Sequence, residues 1–198
     1  MKKAVFILLT LFILISTVCF AASFTDVASD HWAHQYITGL ADKKVISGYP
    51  DGTFKPSGTI TRGEFIKLVI SSCLPSWYDV NELEGTMNHW AAGYVRMAEE
   101  YGVIGEGDID ENNINLPITR LEMVKMVSLA DVIFKENDYD FTETTDFKDT
   151  YTMDLFDLNL LRHAVNKGLV AGYPDGTFGP EKSMTRAEAA TMIWRFTK

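Results

Sequence analysis

Apolar residues recur at helical spacing along the chain, in pairs of stretches that are separated by turn residues. The first stripe ends near Lys44 and predicts a helix. It is formed by Trp32, Tyr36, Ile37, Leu40 and Ala41. A second apolar run at residues 65–70 predicts another helix. Between them, residues 49–52 read Tyr-Pro-Asp-Gly, the order favoured in a type I turn, so we expect a tight connection there.

The start of the second predicted helix carries a capping box. Thr61 stands three residues before Glu64, so the threonine side chain can accept a hydrogen bond from the glutamate amide. The glutamate carboxylate reaches back to the threonine amide in the same motif. The pattern returns at residues 119–122 and 185–188, which predicts two more helix starts of the same kind.

These features form a unit that occurs three times. Residues 48–54 return unchanged at 172–178, and the His-Trp-Ala of residues 31–33 returns at 89–91. A single unit of this size cannot bury the apolar faces of both helices, so we expect the units to share one core. The predicted fold is mainly all-α: three helix-loop-helix repeats packed as a pseudo-threefold bundle with short turn or strand-like loops.

The repeats divide the chain into predicted segments. Repeat one spans residues 22–72, repeat two 73–134 and repeat three 147–198, with a polar, acidic linker at 135–146. Repeat two has a degenerate loop, because residues 106–112 replace the glycine-tyrosine turn. Repeat three has Phe156 where the other two repeats have tryptophan.

Residues 1–21 are predicted to be a secretory signal peptide. Two lysines follow Met1, an apolar stretch comes next, and small residues precede the predicted cleavage after Ala21. The alternatives are an uncleaved anchor and a lipoprotein signal acylated at Cys19, although Val18 stands where a lipoprotein signal needs a small residue. We therefore expect a secreted protein that has no membrane insertion after signal cleavage.

The chain is acidic, with a formal net charge of −9 at pH 7, and loss of Lys2 and Lys3 with the signal makes it more acidic still. Binding to nucleic acid or to an anionic membrane surface needs basic patches, so we expect neither partner. Cys73 would be the one cysteine left, which excludes an intrachain disulfide. Its place after an apolar run favours a helix residue in the core over a nucleophile.

Arg62, Arg120 and Arg186 each occupy the first helical position after a capping threonine. This end of the helix dipole favours anions over cations, so three arginines there need an explanation. In one interpretation, each arginine pairs with a nearby carboxylate such as Asp26 or Asp79 and ties the repeats together. In the other, exposed helix amides and the guanidinium bind an external anion, for which the planar fork of arginine suits a carboxylate.

Trp32 and Trp90 also have two interpretations. Helical spacing favours the core, and a wall on which sugars stack is the alternative. The histidines have no spacing with cysteines or carboxylates that would build a zinc site, and we expect His31 and His89 at the helix entries.

Residues 108–112 are similar to a calcium loop, but Asn113 and Thr119 stand where glycine and glutamate are required. No local motif anchors a Ser-His-Asp, Cys-His or paired-acid arrangement. We therefore expect no metal, no cofactor and no enzymatic activity.

The combined motif resembles the surface-layer homology (SLH) domain family. Repeat one carries it in Phe-x-Asp-Val at 24–27, Trp-Ala at 32–33, the loop at 48–56 and Ile-Thr-Arg-x-Glu at 60–64. Repeat three is similar from Gly168 to Glu188, and repeat two at 79–80, 89–103 and 119–122. Three tandem copies are the usual complement of this family, and here they cover nearly the whole mature chain.

The resemblance implies a mostly helical module whose clefts between repeats bind cell-wall polysaccharide noncovalently. The typical ligand is a secondary polymer capped by pyruvylated N-acetylmannosamine, whose ketal carries a carboxylate for the arginines. Aspartates and tryptophans would line sugar-facing walls, and glycines would offer backbone contacts. The implied site residues are Arg62, Arg120, Arg186, Asp26, Trp32, Asp79, Trp90, Gly48 and Gly172.

Departures from the family pattern predict that one or two of the three clefts function. The loop of repeat two and Leu121, which replaces the usual alanine or glycine, weaken one cleft, and Phe156 weakens the wall of another. The resemblance places the protein at the cell wall and surface, associated with the S-layer, where it binds the pyruvylated polymer or a peptidoglycan-linked glycan. The alternatives are an adaptor with decayed glycan sites that recruits an envelope protein, and a tether between outer membrane and peptidoglycan.

Overall fold

The computed structural model describes residues 23–75, 78, 80, 83, 87–142 and 147–198. These residues form six α-helices joined by loops with isolated β-bridges, which confirms the mainly helical class. The helices are α1 His34–Asp42, α2 Arg62–Cys73, α3 Ala92–Glu100, α4 Arg120–Lys135, α5 Leu155–Asn166 and α6 Arg186–Phe196. The predicted signal peptide, Asp79 and residues 143–146 of the predicted linker lie outside the described residues.

All three predicted capping boxes are present, at the starts of α2, α4 and α6. In α2 the Thr61 hydroxyl accepts a hydrogen bond from the Glu64 amide at 3.2 Å, and the Glu64 carboxylate accepts one from the Thr61 amide at 3.0 Å. These bonds satisfy amides that a helix start otherwise leaves unpaired. The capping box therefore fixes the residue at which each second helix begins. It also fixes the backbone position of the arginine, which is the first residue of that helix.

The three repeats meet at a central triangle of backbone hydrogen bonds. The Ile60 amide donates to the Met184 carbonyl at 3.1 Å, Met184 donates to Ile118 at 3.2 Å, and Ile118 donates to Ile60 at 3.0 Å. Each of these side chains is at most 2% exposed. The bonds close a ring with one member from each repeat, which defines a pseudo-threefold axis.

Helices of different repeats pair around this axis. The second helix of each repeat packs against the first helix of the next, so that α2 contacts α3, α4 contacts α5, and α6 returns to α1. α2, α4 and α6 also contact one another at the centre. The expectation of one core shared by three repeats is confirmed, because a single cluster of buried residues runs through all of them.

The loops of repeats one and three are each anchored by an aspartate near the start of the repeat. Asp26 accepts hydrogen bonds from the amides of Phe54 and Lys55 at 2.8 and 2.7 Å, and Asp149 makes the same pair of bonds in repeat three. Burial would raise the pKa of Asp26, but these hydrogen bonds hold it below its ordinary value. The carboxylate fixes the loop on which each cleft depends.

Local geometry at the turns and helix entries is as predicted. The Gly52 amide donates to the Tyr49 carbonyl at 3.0 Å, and the equivalent bond in repeat three has the same length. His31 and His89 lie at the entries of α1 and α3, where Nδ1 of each accepts from the amide two residues on at 3.1 Å. α1 and α3 have no side-chain cap of their own, and these imidazoles bind the amides of their N-cap residues Ala33 and Ala91.

A buried polar pair ties the predicted linker to α4 and α5. His163 is fully buried, and its Nδ1 accepts a hydrogen bond from the Asp140 amide at 3.0 Å. Its Nε2 lies 3.2 Å from Asp131 Oδ2, so the neutral ring carries its proton on Nε2 and donates it to this carboxylate. Burial lowers the pKa of His163 from its ordinary value of 6.5, although Asp131 opposes this shift.

The buried histidine predicts that the protein loses stability as the pH falls below about 6.5. The unfolded chain binds a proton at His163 in this range while the folded chain does not, so acid favours unfolding. The free energy of unfolding should rise between pH 5 and 7 with a contribution of at most about 1.4 kcal/mol per pH unit. Urea unfolding of wild type and His163→Gln at several pH values measures it. Equal pH slopes in the two proteins would contradict this assignment.

Candidate functional site

The arginines at the starts of the second helices occupy equivalent places around the pseudo-threefold axis. Arg62, Arg120 and Arg186 each reach from their own helix into the loop of a neighbouring repeat. The guanidinium groups of Arg186 and Arg62 line two clefts, called cleft 1 and cleft 2. The equivalent place at Arg120, called cleft 3, holds a buried arginine. The three places share one frame and differ in their chemistry.

Cleft 1 is formed by Arg186, the loop at residues 45–54, one face of α2 and Trp90, and it encloses about 260 Å³. Arg186 Nε donates to the Phe54 carbonyl at 2.8 Å, and its Nη1 donates to Glu64 Oε1 at 2.8 Å. Among the described residues, its Nη2 has no hydrogen-bond partner. One edge of this guanidinium is therefore available to a ligand.

Lys67 supplies a second cation to cleft 1. Its Nζ lies 5.8 Å from the centroid of the Trp90 ring, and no carboxylate of the described residues pairs with it. Two cations thus face the single carboxylate of Glu64. In the same part of the structure, the lining amides of Ser47 and Gly48 have no hydrogen-bond partner. Excess positive charge and free N–H donors are the features that bind an anion.

Cleft 2 is formed by Arg62, the loop at residues 102–109, one face of α4 and Phe156, and it encloses about 670 Å³. Arg62 Nε and Nη2 both donate to Glu122 Oε1, at 2.9 and 2.7 Å, and Nη1 donates to the Asn113 carbonyl at 3.4 Å. All three nitrogens of the guanidinium are engaged within the protein.

The lysine of cleft 2 is neutralised. Lys125, the counterpart of the cleft 1 lysine, forms an ion pair with Asp157 at 2.7 Å. Asp108 adds a further carboxylate to the lining, and its Oδ2 accepts a hydrogen bond from the Gly105 amide at 2.8 Å. Two cations here face three carboxylates, so cleft 2 does not attract an anion as cleft 1 does.

At the cleft 3 position, Arg120 is 7% exposed and contacts the loop of repeat three. Arg120 Nη2 donates to the Ala171 carbonyl at 2.6 Å, and the guanidinium lies 4.9 and 5.0 Å from the rings of Tyr173 and Phe178. Burial lowers the pKa of Arg120 below its ordinary value. This arginine packs beneath the loop and presents little of its guanidinium to solvent.

The partners of the arginines differ from those expected. The capping-box residues Glu64 and Glu122, and not Asp26, pair with Arg186 and Arg62. The amides at the first two positions of each second helix donate to loop carbonyls of a neighbouring repeat. The prediction of exposed helix amides is therefore wrong, because contacts between repeats use them.

The aromatic residues at the helix entries are exposed: Trp32 by 58%, Trp90 by 54% and Phe156 by 56%. The interpretation of the two tryptophans as core residues is wrong, because α1 and α3 begin only after them. Trp90 and Phe156 line clefts 1 and 2, and Trp32 holds the equivalent place beside the α1–α6 pair. Both tryptophans are exposed enough to stack on a sugar, as the alternative interpretation requires.

Two departures from the family pattern fall in the same cleft. The degenerate loop of repeat two and Phe156 both line cleft 2. The expectation that they weaken separate clefts is wrong, because each cleft takes its aromatic residue from the repeat that follows its loop. Cleft 1 consequently keeps both the intact loop and Trp90.

The glycines at 48 and 172 are required by packing. A Cβ atom on Gly48 would lie 2.4 Å from Phe24, and one on Gly172 would lie 2.1 Å from Phe147. Gly48 also has a φ of +66°, which disfavours other residues. Both glycines therefore determine the shape of their loops. The amide of Gly48, which has no hydrogen-bond partner among the described residues, could also contact a ligand.

The sequence analysis did not identify two groups of residues that shape the clefts. These are the lysines of clefts 1 and 2 and the aromatic rings that pack against Arg186. Lys67 and Lys125 stand at the same distance from their capping threonines, so a comparison of repeats contained this signal. Tyr49 and Phe54, both in the recurring loop, lie 4.8 and 4.9 Å from the Arg186 guanidinium. These rings orient the arginine and shield its Coulombic interactions from water.

Metal and thiol chemistry have little support in the described residues. No group of three or more His, Cys, Asp or Glu residues there is placed to hold a metal ion, and no helix there is long and apolar enough to cross a membrane. Cys73 lies at the end of α2, partly buried, and burial raises the pKa of its thiol to about 12. The thiol is therefore protonated at neutral pH and a poor nucleophile.

A family model described as the S-layer homology domain matches residues 23–66 and 162–190. The first segment holds the loop and helix start of cleft 1, and the second holds Arg186. This chain contains S-layer homology domains. Their presence, with S-layer proteins among the relatives, supports cell-envelope anchoring and places the chain among secreted proteins of the cell surface and cell wall.

Relatives with S-layer homology domains match most of this chain. S-layer protein EA1 from Bacillus anthracis is 32% identical over 180 residues, covering 86% of this chain and 20% of the relative. An uncharacterized cell wall amidase from the same organism is 33% identical over 181 residues, covering 86% and 31%. Amylopullulanase from Thermoanaerobacterium thermosulfurigenes is 29% identical over 174 residues, covering 87% and 9%. The chain spans less than a third of each of these relatives.

Proposed function

We propose that this protein attaches noncovalently to the cell wall by binding an anionic secondary wall polysaccharide, and that cleft 1 is its main site. The observation that carries the proposal is the pair of cations in cleft 1: within the described part of the chain, Lys67 has no carboxylate partner and the Nη2 of Arg186 has no hydrogen-bond partner. The resemblance supplies the anion, which is the carboxylate of a pyruvate ketal on N-acetylmannosamine.

Each part of cleft 1 has a role in this proposal. Arg186 and Lys67 bind the pyruvate carboxylate, and the amides of Ser47 and Gly48 donate to the sugar or its acid. Trp90, half exposed at the wall, stacks on the sugar ring. The cleft volume of about 260 Å³ suits a terminal residue of a polymer better than an internal stretch.

The other implied site residues take lesser parts. Asp26 holds the loop of cleft 1 through backbone amides, and Gly172 shapes the loop of cleft 3. Arg62 is hydrogen-bonded within the protein and Arg120 is buried, so we propose that they tie the repeats together more than they bind glycan. Trp32 and Asp79 remain proposed wall residues of the remaining clefts.

We further propose that the chain acts without catalysis. Its enzyme relative amylopullulanase matches over only 9% of its own length, in the region shared with S-layer proteins. The clefts present cations and aromatic rings for binding, and the thiol of Cys73 is kept protonated. Detectable turnover of purified wall fragments by this protein would contradict the proposal that it acts without catalysis.

Co-sedimentation with purified cell walls tests the function and the site together. Wild type should pellet with intact walls and remain soluble after acid has removed the secondary polymer and its pyruvate. Lys67→Gln should weaken binding about tenfold, because it removes a charge-assisted contact. Lys125→Gln is the matched control, since that lysine is already neutralised by Asp157. Undiminished binding to stripped walls, or equal losses in the two variants, would contradict the proposal.

A further inference from the structure

Cleft 2 departs from cleft 1 in size. The two have the same frame of arginine, loop, helix face and aromatic residue, yet cleft 2 encloses about 670 Å³ and cleft 1 about 260 Å³. Gly102 and Gly105 line cleft 2, whereas Gly48 is the glycine that lines cleft 1. A larger occupant than a terminal sugar fits there.

The loop of cleft 2 uses several of its own donors within the protein. The loop amides of Gly105 and Gly107 donate to the carboxylates of Asp108 and Glu99, at 2.8 and 2.9 Å. The guanidinium of Arg62 is engaged at all three nitrogens. What remains at the loop is negative charge, which attracts a cation and repels an acidic glycan.

Apart from the charged residues Arg62, Asp108, Glu122 and Lys125, the lining of the cleft is mostly apolar. Its walls are formed by Val103, Ile104, Ile109, Met126, Leu129 and Phe156. Phe156 is 56% exposed, and Leu155, the preceding residue of α5, is 69% exposed. A pocket with large exposed apolar side chains beside it is typical of a surface that receives a side chain of another protein. The indole N–H that Trp90 offers to a sugar is absent from phenylalanine.

We infer that cleft 2 is a docking site for a segment of a partner protein that carries an apolar anchor residue flanked by lysine or arginine. The anchor fills the space between Ile104, Met126 and Phe156, and the flanking cation faces Asp108. The charge complementarity selects a basic segment over an acidic one. One face of the molecule would then bind the wall through cleft 1 while another binds protein.

Titration of the protein with a defined peptide probe, followed by ¹H–¹⁵N NMR, tests this inference. The probe is an acetylated, amidated pentapeptide with central phenylalanine, leucine on each side and lysine at both ends. The expected result is saturable shifts at the residues lining cleft 2, with the amide of Ser47 in cleft 1 unchanged. A peptide with glutamate in place of lysine should bind at least tenfold more weakly.

Asp108→Asn should weaken binding of the lysine peptide at least threefold while retaining an oxygen acceptor for the Gly105 amide. Asp51→Asn makes the same change in the loop of repeat one and should leave the peptide affinity unchanged. Absence of shifts at cleft 2, or equal binding of the glutamate peptide, overturns the inference. It is also overturned if purified wall polymer shifts the cleft 2 residues, whereas a negative peptide result leaves the wall binding of cleft 1 intact.

Discussion

Replacing Arg186 by alanine is expected to weaken binding of the protein to intact cell walls by at least tenfold. The substitution removes the free Nη2 donors and leaves the Glu64 carboxylate without its cation, so cleft 1 loses its excess of positive charge. A hydrogen bond to a charged group contributes roughly 1.5–3 kcal/mol, which corresponds to a loss in affinity of about tenfold to a hundredfold. Glu64, once it has lost its ion pair, also repels the carboxylate of the ligand, which adds to this loss. Co-sedimentation across a range of protein concentrations measures the affinity.

Arg62→Ala is the matched control for this experiment. Both substitutions break an ion pair with a capping-box glutamate, so their structural damage is similar, but Arg62 has no nitrogen left for a ligand. We expect Arg62→Ala to retain most of the wall binding, and the helical content of both variants, measured by circular dichroism, to stay close to wild type. Equal loss in the two variants would place binding in more than cleft 1.

Ile118→Ala should lower the free energy of unfolding by about 2–5 kcal/mol, the usual range for removing a large aliphatic side chain from a core. Ile118 is fully buried at the pseudo-threefold axis, where its backbone bonds to Ile60 and Met184. Because all three repeats meet there, the loss should appear in one cooperative transition. Urea unfolding followed by circular dichroism and by tryptophan fluorescence measures both the midpoint and the coincidence of the probes.

Leu116→Ala is the control for the core substitution. Leu116 lies in the same loop but is 51% exposed, so its removal should change the free energy of unfolding by less than about 0.5 kcal/mol. Separate transitions for the two spectroscopic probes in Ile118→Ala would show that the repeats do not unfold as one unit.

The ring arrangement explains how one chain can hold clefts of different chemistry. Clefts 1 and 2 each draw their arginine, their loop and their aromatic residue from three different repeats, so a change in one repeat affects different parts of the two clefts. The loop of repeat two and Phe156 of repeat three change cleft 2 together and leave cleft 1 untouched. The backbone triangle and the capping boxes keep the frame constant while the lining varies.

The sequence by itself determined the local structure of this protein. Capping boxes, tight turns and helix entries depend on residues within a few positions of one another. The capping roles of Thr61 and Glu64 and the place of His31 at a helix entry were therefore predicted correctly. The recurrence of these signals also predicted three repeats around one core, because amphipathic helices of this size have no other way to bury their apolar faces.

Only the tertiary structure decided which residues meet across repeats. The ion pairs of Arg186 with Glu64 and of Lys125 with Asp157, and the exposure of Trp90, depend on which helix of one repeat packs against which helix of the next. Helical periodicity describes one helix and carries no information on its neighbour, so it placed the tryptophans in the core. The charge of each cleft is likewise a sum over side chains that are distant in sequence, and it becomes defined only when the ring of repeats closes.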